Sequence, residues 1–299
     1  MRALPLLAIL LGGACSEYEV LTDHETFTVS GALSDIVFYG DTSYSMQVEL
    51  RTLGDNVGQF ISRLDENQDD WQIIAVTGPD GCAQGGILTA DTSDVRDVFA
   101  TGITTAPGED EVDEWGLFNV FQAVMKTTPG QCNEGFLRDE ALLHIIFLSD
   151  EDDNSPGWQL GGDYWRDYVD PILYLKGDPA MVRFSAITGP IPNGCGGADP
   201  GFGYVEATQA TDGELLSICD DWVAGIDILA DASISQALFP LAHAPLVETL
   251  DVSVNDAPRE SGWVYDEEAI AVRFTEDVPR GWDEVVIDYR AIVEFVVEE

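Results

Sequence analysis

The stretch DIVFYGDTSYSM, residues 35–46, decides the fold. Its apolar run from Ile36 to Tyr39 is followed at once by Gly40 and Asp41, which is typical of a buried parallel strand that ends in a loop. Beyond this loop, apolar residues recur at spacings of three and four, which predicts an amphipathic helix of about five turns. These residues are Met46, Leu50, Leu53, Val57, Phe60, Ile61 and Leu64.

The alternation of strand and helix patterns continues along the chain. Apolar runs predict further strands at residues 71–77, 142–148 and 182–188, and helical spacing lies around residues 95–99, 112–125 and 164–175. This order, with short connections, predicts an α/β fold with a doubly wound, mostly parallel sheet and helices on both faces. Within the second of these strands we expect His144 to be a core residue and not a ligand.

The pattern changes after Pro240, where short alternating segments separated by turn residues predict antiparallel β-structure. This region either extends the main sheet as an appendage or forms a small β-subdomain of its own. The sequence therefore predicts four segments. They are a signal peptide (1–14), a tether (15–32), an α/β domain (33–240) and a C-terminal β-rich extension (241–299).

The first fourteen residues, MRALPLLAILLGGA, have the single basic residue, apolar run and small residues of a secretory signal, and the run is too short to span a membrane. The run from Leu11 to Cys15 is similar to a bacterial lipobox, although Leu11 lies four places before the cysteine and not three. We therefore expect lipidation of Cys15 and an exported lipoprotein of the outer membrane or cell surface. A periplasmic or secreted protein with an ordinary cleavage site is the alternative.

The charge of the chain restricts its partners. There are 55 Asp and Glu residues against 13 Lys and Arg, a formal net charge of −42. Such a surface repels phosphate backbones and anionic headgroups, so we expect no nucleic-acid partner and membrane contact through the lipid anchor alone.

Four further cysteines allow three pairings, and export makes disulfides the expected state. Proximity along the chain favours Cys82 with Cys132 and Cys195 with Cys219.

Two loops carry the residues with the clearest chemistry. Asp41, Ser43 and Ser45 lie on a turn whose alternate side chains can converge, and Asp150 follows another predicted strand at the same edge of the sheet. Carboxylate and hydroxyl oxygens suit hard cations, so we expect a divalent cation, Mg²⁺, Ca²⁺ or Mn²⁺, as the cofactor. The neighbouring acidic run of residues 151–153 is expected to be a solvated loop.

DIVFYGDTSYSM is similar to the first strand and metal-ion-dependent adhesion site of von Willebrand factor A (VWA) domains, and IIFLSD, residues 145–150, resembles the strand and third metal loop of that family. The resemblance covers about residues 33–240 and implies a VWA, Rossmann-like fold. The segments FLRDEALLHIIFLSDEDDNS, FSAITGP and LLSICDDW resemble VWA lipoproteins of myxobacterial and related lineages.

The resemblance implies metal-ligand roles for Asp41, Ser43, Ser45 and Asp150. Where the family has a threonine in its second metal loop, this chain has Glu111, or Asp110 if the loop differs by one residue. A glutamate there would bind the cation more tightly and weaken its attraction for an acidic partner.

The resulting functional hypothesis is an adhesion-type binding module for a protein or cell-envelope ligand. No nucleophile elbow, phosphate loop or His-Glu-x-x-His pattern is present in the sequence, so we expect a protein that is not an enzyme. The alternatives are a structural envelope or assembly factor, in which the metal loop only stabilises the fold, and a hydrolase that uses an acidic metal site.

Overall fold

The structure, a computed structural model, describes residues 16–29, 33–67, 70–105, 115–139, 141–234, 238–267, 269–277, 279 and 283–296. The contacts within the chain divide these residues into two compact units. One unit contains the described residues of 29–234. The other contains the described residues of 16–28, 238–279 and 283–296.

The strands are β1 (Ser16–Thr28), β2 (Leu33–Gly40), β3 (Asp70–Val76), β4 (Gln84–Leu88), β5 (Leu142–Leu148), β6 (Val182–Thr188), β7 (Leu215–Ser217), β8 (Leu238–Pro240), β9 (Asp251–Val254), β10 (Ala257–Pro258), β11 (Trp263–Asp266), β12 (Ala271–Phe274) and β13 (Glu284–Val296). The helices are α1 (Gln47–Glu66), α2 (Val95–Ile103), α3 (Gly116–Met125), α4 (Arg166–Lys176), α5 (Tyr204–Ala210) and α6 (Ile226–Ile234), and short 3₁₀ turns include Tyr44–Met46 and Trp158–Leu160. Within the described ranges, no helix combines the length and the apolar character needed to cross a membrane.

A six-stranded sheet of order β4-β3-β2-β5-β6-β7 forms the centre of the first unit. Alternate residues of a strand point to opposite faces. Accordingly, Ile36 and Phe38 of β2 pack in a core with α1, α2 and α6, whereas Val37 and Tyr39 pack in a second core with α3, α4 and α5. The strands are therefore buried on both sides, which explains their continuous apolar runs.

The predicted fold class, a doubly wound and mostly parallel VWA sheet, is wrong. The structure is a mixed α/β fold whose six-stranded sheet is itself mixed, because β4 runs antiparallel to β3. The chain turns back after β3 through Gly81, whose φ of +63° favours glycine and whose added Cβ would lie 2.5 Å from the backbone nitrogen of Ala123. Two additional antiparallel sheets, of order β1-β13-β9-β10 and β11-β12-β8, lie in the second unit, where the sequence predicts antiparallel β-structure as an appendage of the main sheet or as a separate subdomain.

The longest pairing in the second unit joins β1 to β13. The two strands are antiparallel in continuous register from Ser16 opposite Val296 to Thr28 opposite Glu284. The structure thus places a strand over residues 16–28, where the sequence predicts a tether. In the β11-β12-β8 sheet, Phe239 of β8 makes edge contacts with Phe27 and Phe274 at centroid distances of 5.4 and 5.5 Å.

Arg138 fastens the beginnings of β2 and β3 to the loop before β5. Its Nε donates to Asp35 Oδ1 at 2.7 Å, its backbone nitrogen donates to Asp35 Oδ2 at 2.6 Å, and its other guanidinium nitrogens reach Asp70 Oδ1 at 3.0 Å and Ser34 O at 3.0 Å. Asp35 is fully buried, whereas the side chain of Asp70 is 74% exposed. The same guanidinium therefore pairs with one buried and one exposed carboxylate.

His144 lies in the middle of β5 and is fully buried, as predicted for a core residue. Its Nδ1 and Nε2 are each 2.7 Å from a serine hydroxyl, Ser233 Oγ on α6 and Ser185 Oγ on β6. Burial lowers the pKa of His144 well below its usual value, so the imidazole is a neutral cross-link between a helix and the sheet.

The two partners of Arg138 provide a matched test of this anchor. Asp35→Ala leaves a partly buried guanidinium without its main partner, and we expect a loss of about 3–5 kcal/mol in the free energy of unfolding. Asp70→Ala removes an exposed pair, for which we expect a loss of about 1 kcal/mol or less. Urea titration of both variants measures the difference, and equal losses would contradict the assigned roles.

Candidate functional site

The loops after β2 and β5 lie side by side at one edge of the six-stranded sheet. The strands are parallel neighbours, with Gly40 opposite Leu148, and the backbone nitrogen of Asp41 donates to Leu148 O at 3.0 Å. The carboxyl ends of parallel strands share an edge, where open α/β sheets bind ligands. Asp41 and Asp150 therefore lie at the same edge, one after each strand.

Asp41 is 2% exposed, and donors from the protein engage both of its carboxylate oxygens. Oδ1 accepts the backbone N–H of Ser43 at 2.8 Å, and Oδ2 accepts the hydroxyl of Ser149 at 2.8 Å. The first bond closes the turn after β2, and the second ties that turn to the loop after β5. The position of Asp41 is therefore accounted for by its role in fastening two loops.

A chain of hydrogen bonds links the remaining predicted residues of the two loops. Ser45 Oγ donates to Asp150 Oδ1 at 3.3 Å and lies 3.0 Å from Ser43 Oγ. Burial raises the pKa of Asp150, the Ser45 hydroxyl opposes this shift, and the nearby charges of Asp41 and Glu49 add to it. The structure therefore brings Asp41, Ser43, Ser45 and Asp150 together.

The prediction of a divalent cation as the cofactor is nevertheless wrong. In the part of the chain that the structure describes, no group of three or more His, Cys, Asp or Glu side chains could hold a metal ion. Hard cations take six or more oxygen ligands, and each oxygen of the Asp41 carboxylate already accepts one hydrogen bond from the protein. Glu111 and its alternative Asp110 lie outside the described residues, as does Cys15.

An open cleft of about 430 Å³ adjoins this edge, and we call it the acidic cleft. It is lined by Ser45, Glu49 and Asp150, by residues 195–198, and by Ile218 and Cys219. Glu49 Oε2 is buried and has no hydrogen-bond partner among the described residues. Spacing could have identified Glu49, since it lies one helical turn after Ser45 and shares its face of the chain.

Both disulfides join the cysteines that proximity along the chain favours. Cys82 is bonded to Cys132 and Cys195 to Cys219, with Cα–Cα distances of 5.7 and 6.3 Å that are typical of such bonds. The second disulfide lies in the wall of the acidic cleft. Two disulfides in one chain are compatible with an exported protein, because they persist in oxidising compartments.

The loop after Asp150 also caps a helix, which the sequence did not reveal. Helix α3 begins without a side-chain cap of its own, and Asp153 Oδ1 accepts the backbone N–H of Leu117 at 2.9 Å while Ser155 Oγ accepts that of Phe118 at 2.9 Å. Asp153, expected in a solvated loop, is 1% exposed. Its burial outweighs the hydrogen bonds it accepts and raises the pKa of Asp153 to about 7.

No family model and no curated protein matches the chain. Among solved structures, it is similar to proximal thread matrix protein 1 from the mussel byssus, with 13% identity, a TM-score of 0.41, and coverage of 72% of this chain and 51% of that one. It is also similar to the pilus adhesin RrgA from Streptococcus pneumoniae (10% identity, TM-score 0.38, 98% of this chain and 60% of that one). A third similar structure is the pilus adhesin SpaC from Lactobacillus rhamnosus GG, with 12% identity, a TM-score of 0.38, and coverage of 92% of this chain and 42% of that one. The chain thus spans between 42% and 60% of these proteins, and at such TM-scores the likeness assigns it neither a family nor a function.

The pKa of Asp153 makes stability depend on pH in a defined direction. A folded-state pKa of about 7, above the ordinary 3.8, means that the folded chain retains this proton where the unfolded chain has lost it. The protonated Asp153 carboxyl therefore makes its full contribution to the free energy of unfolding below the unfolded pKa of 3.8. That contribution decreases as the pH rises and is lost once the pH passes the folded pKa of about 7. We expect wild type to lose stability relative to Asp153→Asn between about pH 4 and about pH 7, by at most about 1.4 kcal/mol per pH unit.

Urea titrations of wild type and Asp153→Asn across this range measure the effect. The general repulsion of a highly acidic chain is common to both proteins, so their difference isolates the Asp153 carboxyl. Parallel stability curves would show that Asp153 is charged in the folded protein throughout the range.

Proposed function

We propose that this chain is an exported binding module, and not an enzyme, which takes a protein or cell-envelope ligand in the acidic cleft without a metal ion. The observation that carries this proposal is a concave surface at the carboxyl end of the parallel strands, with the carboxylates of Glu49 and Asp150 in its lining. Membership of the VWA family stays a prediction, and the proposal does not depend on it.

The chemistry of the lining favours a basic group on the ligand. A buried carboxylate oxygen without a donor is costly, and Glu49 Oε2 is in that position. The ammonium of a lysine or the guanidinium of an arginine would supply donors to Glu49 and Asp150 and relieve their mutual repulsion. The net charge of −42 would also attract a basic partner from a distance.

Apolar side chains beside the cleft supply a second element of a protein interface. Tyr44 is 87% exposed and Val48 is 64% exposed, and they precede Ser45 and Glu49 by one residue each. Residues four apart lie on one face of a helix, so Tyr44 and Val48 form a small apolar patch in the same segment of chain as Ser45 and Glu49. Aromatic side chains are enriched among the residues that dominate binding energy at protein interfaces.

Peptides selected on the wild-type protein from a random display library test the ligand chemistry. We expect enrichment of lysine and arginine, and about tenfold weaker binding of a selected peptide by Glu49→Gln, because a hydrogen bond to a charged group contributes about 1.5–3 kcal/mol. Asp55→Asn is the matched control, since Asp55 is an exposed carboxylate of the same helix that does not line the cleft. Isothermal titration calorimetry measures both affinities.

Two further measurements distinguish binding in the acidic cleft from nonspecific adsorption and from binding through a metal ion. Tyr44→Ala should weaken the same peptide, whereas Tyr174→Ala, which removes an equally exposed tyrosine from α4, should not. Binding should persist in a chelator and weaken with added salt. Selection of acidic peptides, or binding that requires Mg²⁺ or Ca²⁺, would contradict the proposal.

The location of the exported protein is proposed from its lipobox-like residues alone. We propose that Cys15 is lipidated and holds the protein on the outer membrane or cell surface. Wild type should partition into the detergent phase of a Triton X-114 separation, and Cys15→Ala should be recovered in the aqueous phase. Recovery of wild type in the aqueous phase with an unacylated Cys15 would refute the anchor.

A further inference from the structure

A second cleft, of about 550 Å³, lies beside the beginning of α3. It is lined by Trp115, Asn154, Pro156, Gly157, Trp158 and Gln159, and we call it the tryptophan cleft. Among the described residues, it shares no lining residue with the acidic cleft. Its volume lies in the range of about 300–1,000 Å³ that is usual for sites of small molecules.

The backbone around the tryptophan cleft is fixed by buried hydrogen bonds. Asp153 and Ser155 point inward and cap α3, so that the intervening Asn154 and the following residues lie at the surface. Tyr164 donates its hydroxyl to Asp153 O, and Tyr168 donates to Pro156 O, each at 2.7 Å. The loop that carries most of the lining is therefore held before any ligand arrives, which lowers the entropy cost of binding.

The two tryptophans are held by different elements. Trp115 directly precedes α3, where its backbone oxygen accepts the N–H of Asn119 at 2.8 Å and its ring makes an edge contact with Phe118 at 5.7 Å. Trp158 begins a 3₁₀ turn after Gly157, whose φ is +104°, and is 40% exposed. A large and partly exposed aromatic surface thus lies in a concave site.

We propose that the tryptophan cleft binds a neutral oligosaccharide of hexopyranose units. Indole rings pack against the apolar C–H faces of such sugars, and the amides of Asn154 and Gln159 each offer donors and an acceptor to neighbouring hydroxyls. No charged side chain is among the lining residues that the structure describes, and the net charge of −42 opposes acidic glycans. Proline-rich peptides also dock on aromatic-lined grooves, but their prolines can only accept hydrogen bonds from the amides, whereas each sugar hydroxyl can both donate and accept.

Titration of the wild-type protein with cellotriose, maltotriose and the trisaccharide of N-acetylglucosamine, followed by calorimetry and NMR, tests this proposal. We expect binding of at least one trisaccharide. We expect Trp158→Ala to weaken that binding by about tenfold or more, which corresponds to about 1.4 kcal/mol. Trp158→Phe should restore part of the affinity, and Gln159→Ala should weaken it.

The matched control is Leu160→Ala, which removes an 89% exposed side chain of the same 3₁₀ turn that does not line the cleft, and it should bind as wild type does. Failure of all three sugars to bind would overturn the proposal, as would binding that Trp158→Ala and Gln159→Ala leave unchanged. A proline-rich peptide that binds at Trp158 when the sugars do not would also overturn it. None of these outcomes bears on Glu49, so the two proposals succeed or fail separately.

Discussion

The first backbone N–H groups of α3 have no side chain of their own helix to bind, and the loop after β5 supplies the acceptors. Asp153 and Ser155 meet this requirement from more than thirty residues away in sequence, with separations of 36 and 37 residues. A helix end buried without partners is costly, so the loop stabilises the beginning of α3. Because the same loop reaches Asp41 through Ser149, this capping also sets the geometry of the sheet edge.

One loop consequently serves two surfaces of different chemistry. Asp150, at its beginning, lines the acidic cleft, and Asn154 and Pro156 to Gln159, further along, line the neutral tryptophan cleft. Asp153 and Ser155, on either side of Asn154, turn away from solvent and hold the loop in place. The buried polar residues thus fix the position of the loop, and the exposed ones are free for ligands.

The sequence predicts those elements whose signal is local. The apolar runs of β2, β3, β5 and β6 and the periodicity of α1 can be recognised directly, because each element is buried on a face that its own residues define. Strand β1 could not be predicted because its alternating polar residues form a strand only opposite β13, and the direction of β4 depends on the turn at Gly81. At the site, the meeting of the loops at Asp41 and Asp150 follows from the order of the strands. The cation assignment failed because sequence could not show how many ligand side chains meet at this edge, and among the described residues no group of three or more His, Cys, Asp or Glu could hold a metal ion.

The pairing of β1 with β13 has a consequence for how the protein is made. The hydrogen-bonded residues His24 and Asp288 are 264 residues apart in sequence, so β1 leaves the ribosome long before β13 exists. Residues 29–234, which contain the whole six-stranded sheet, can fold in that interval, whereas β1 has no partner strand until β13 is made. An unpaired strand is an aggregation hazard. Charged and polar side chains on a strand edge oppose such aggregation, and β1 carries Glu19, Asp23, His24 and Glu25 through the interval before β13 is made.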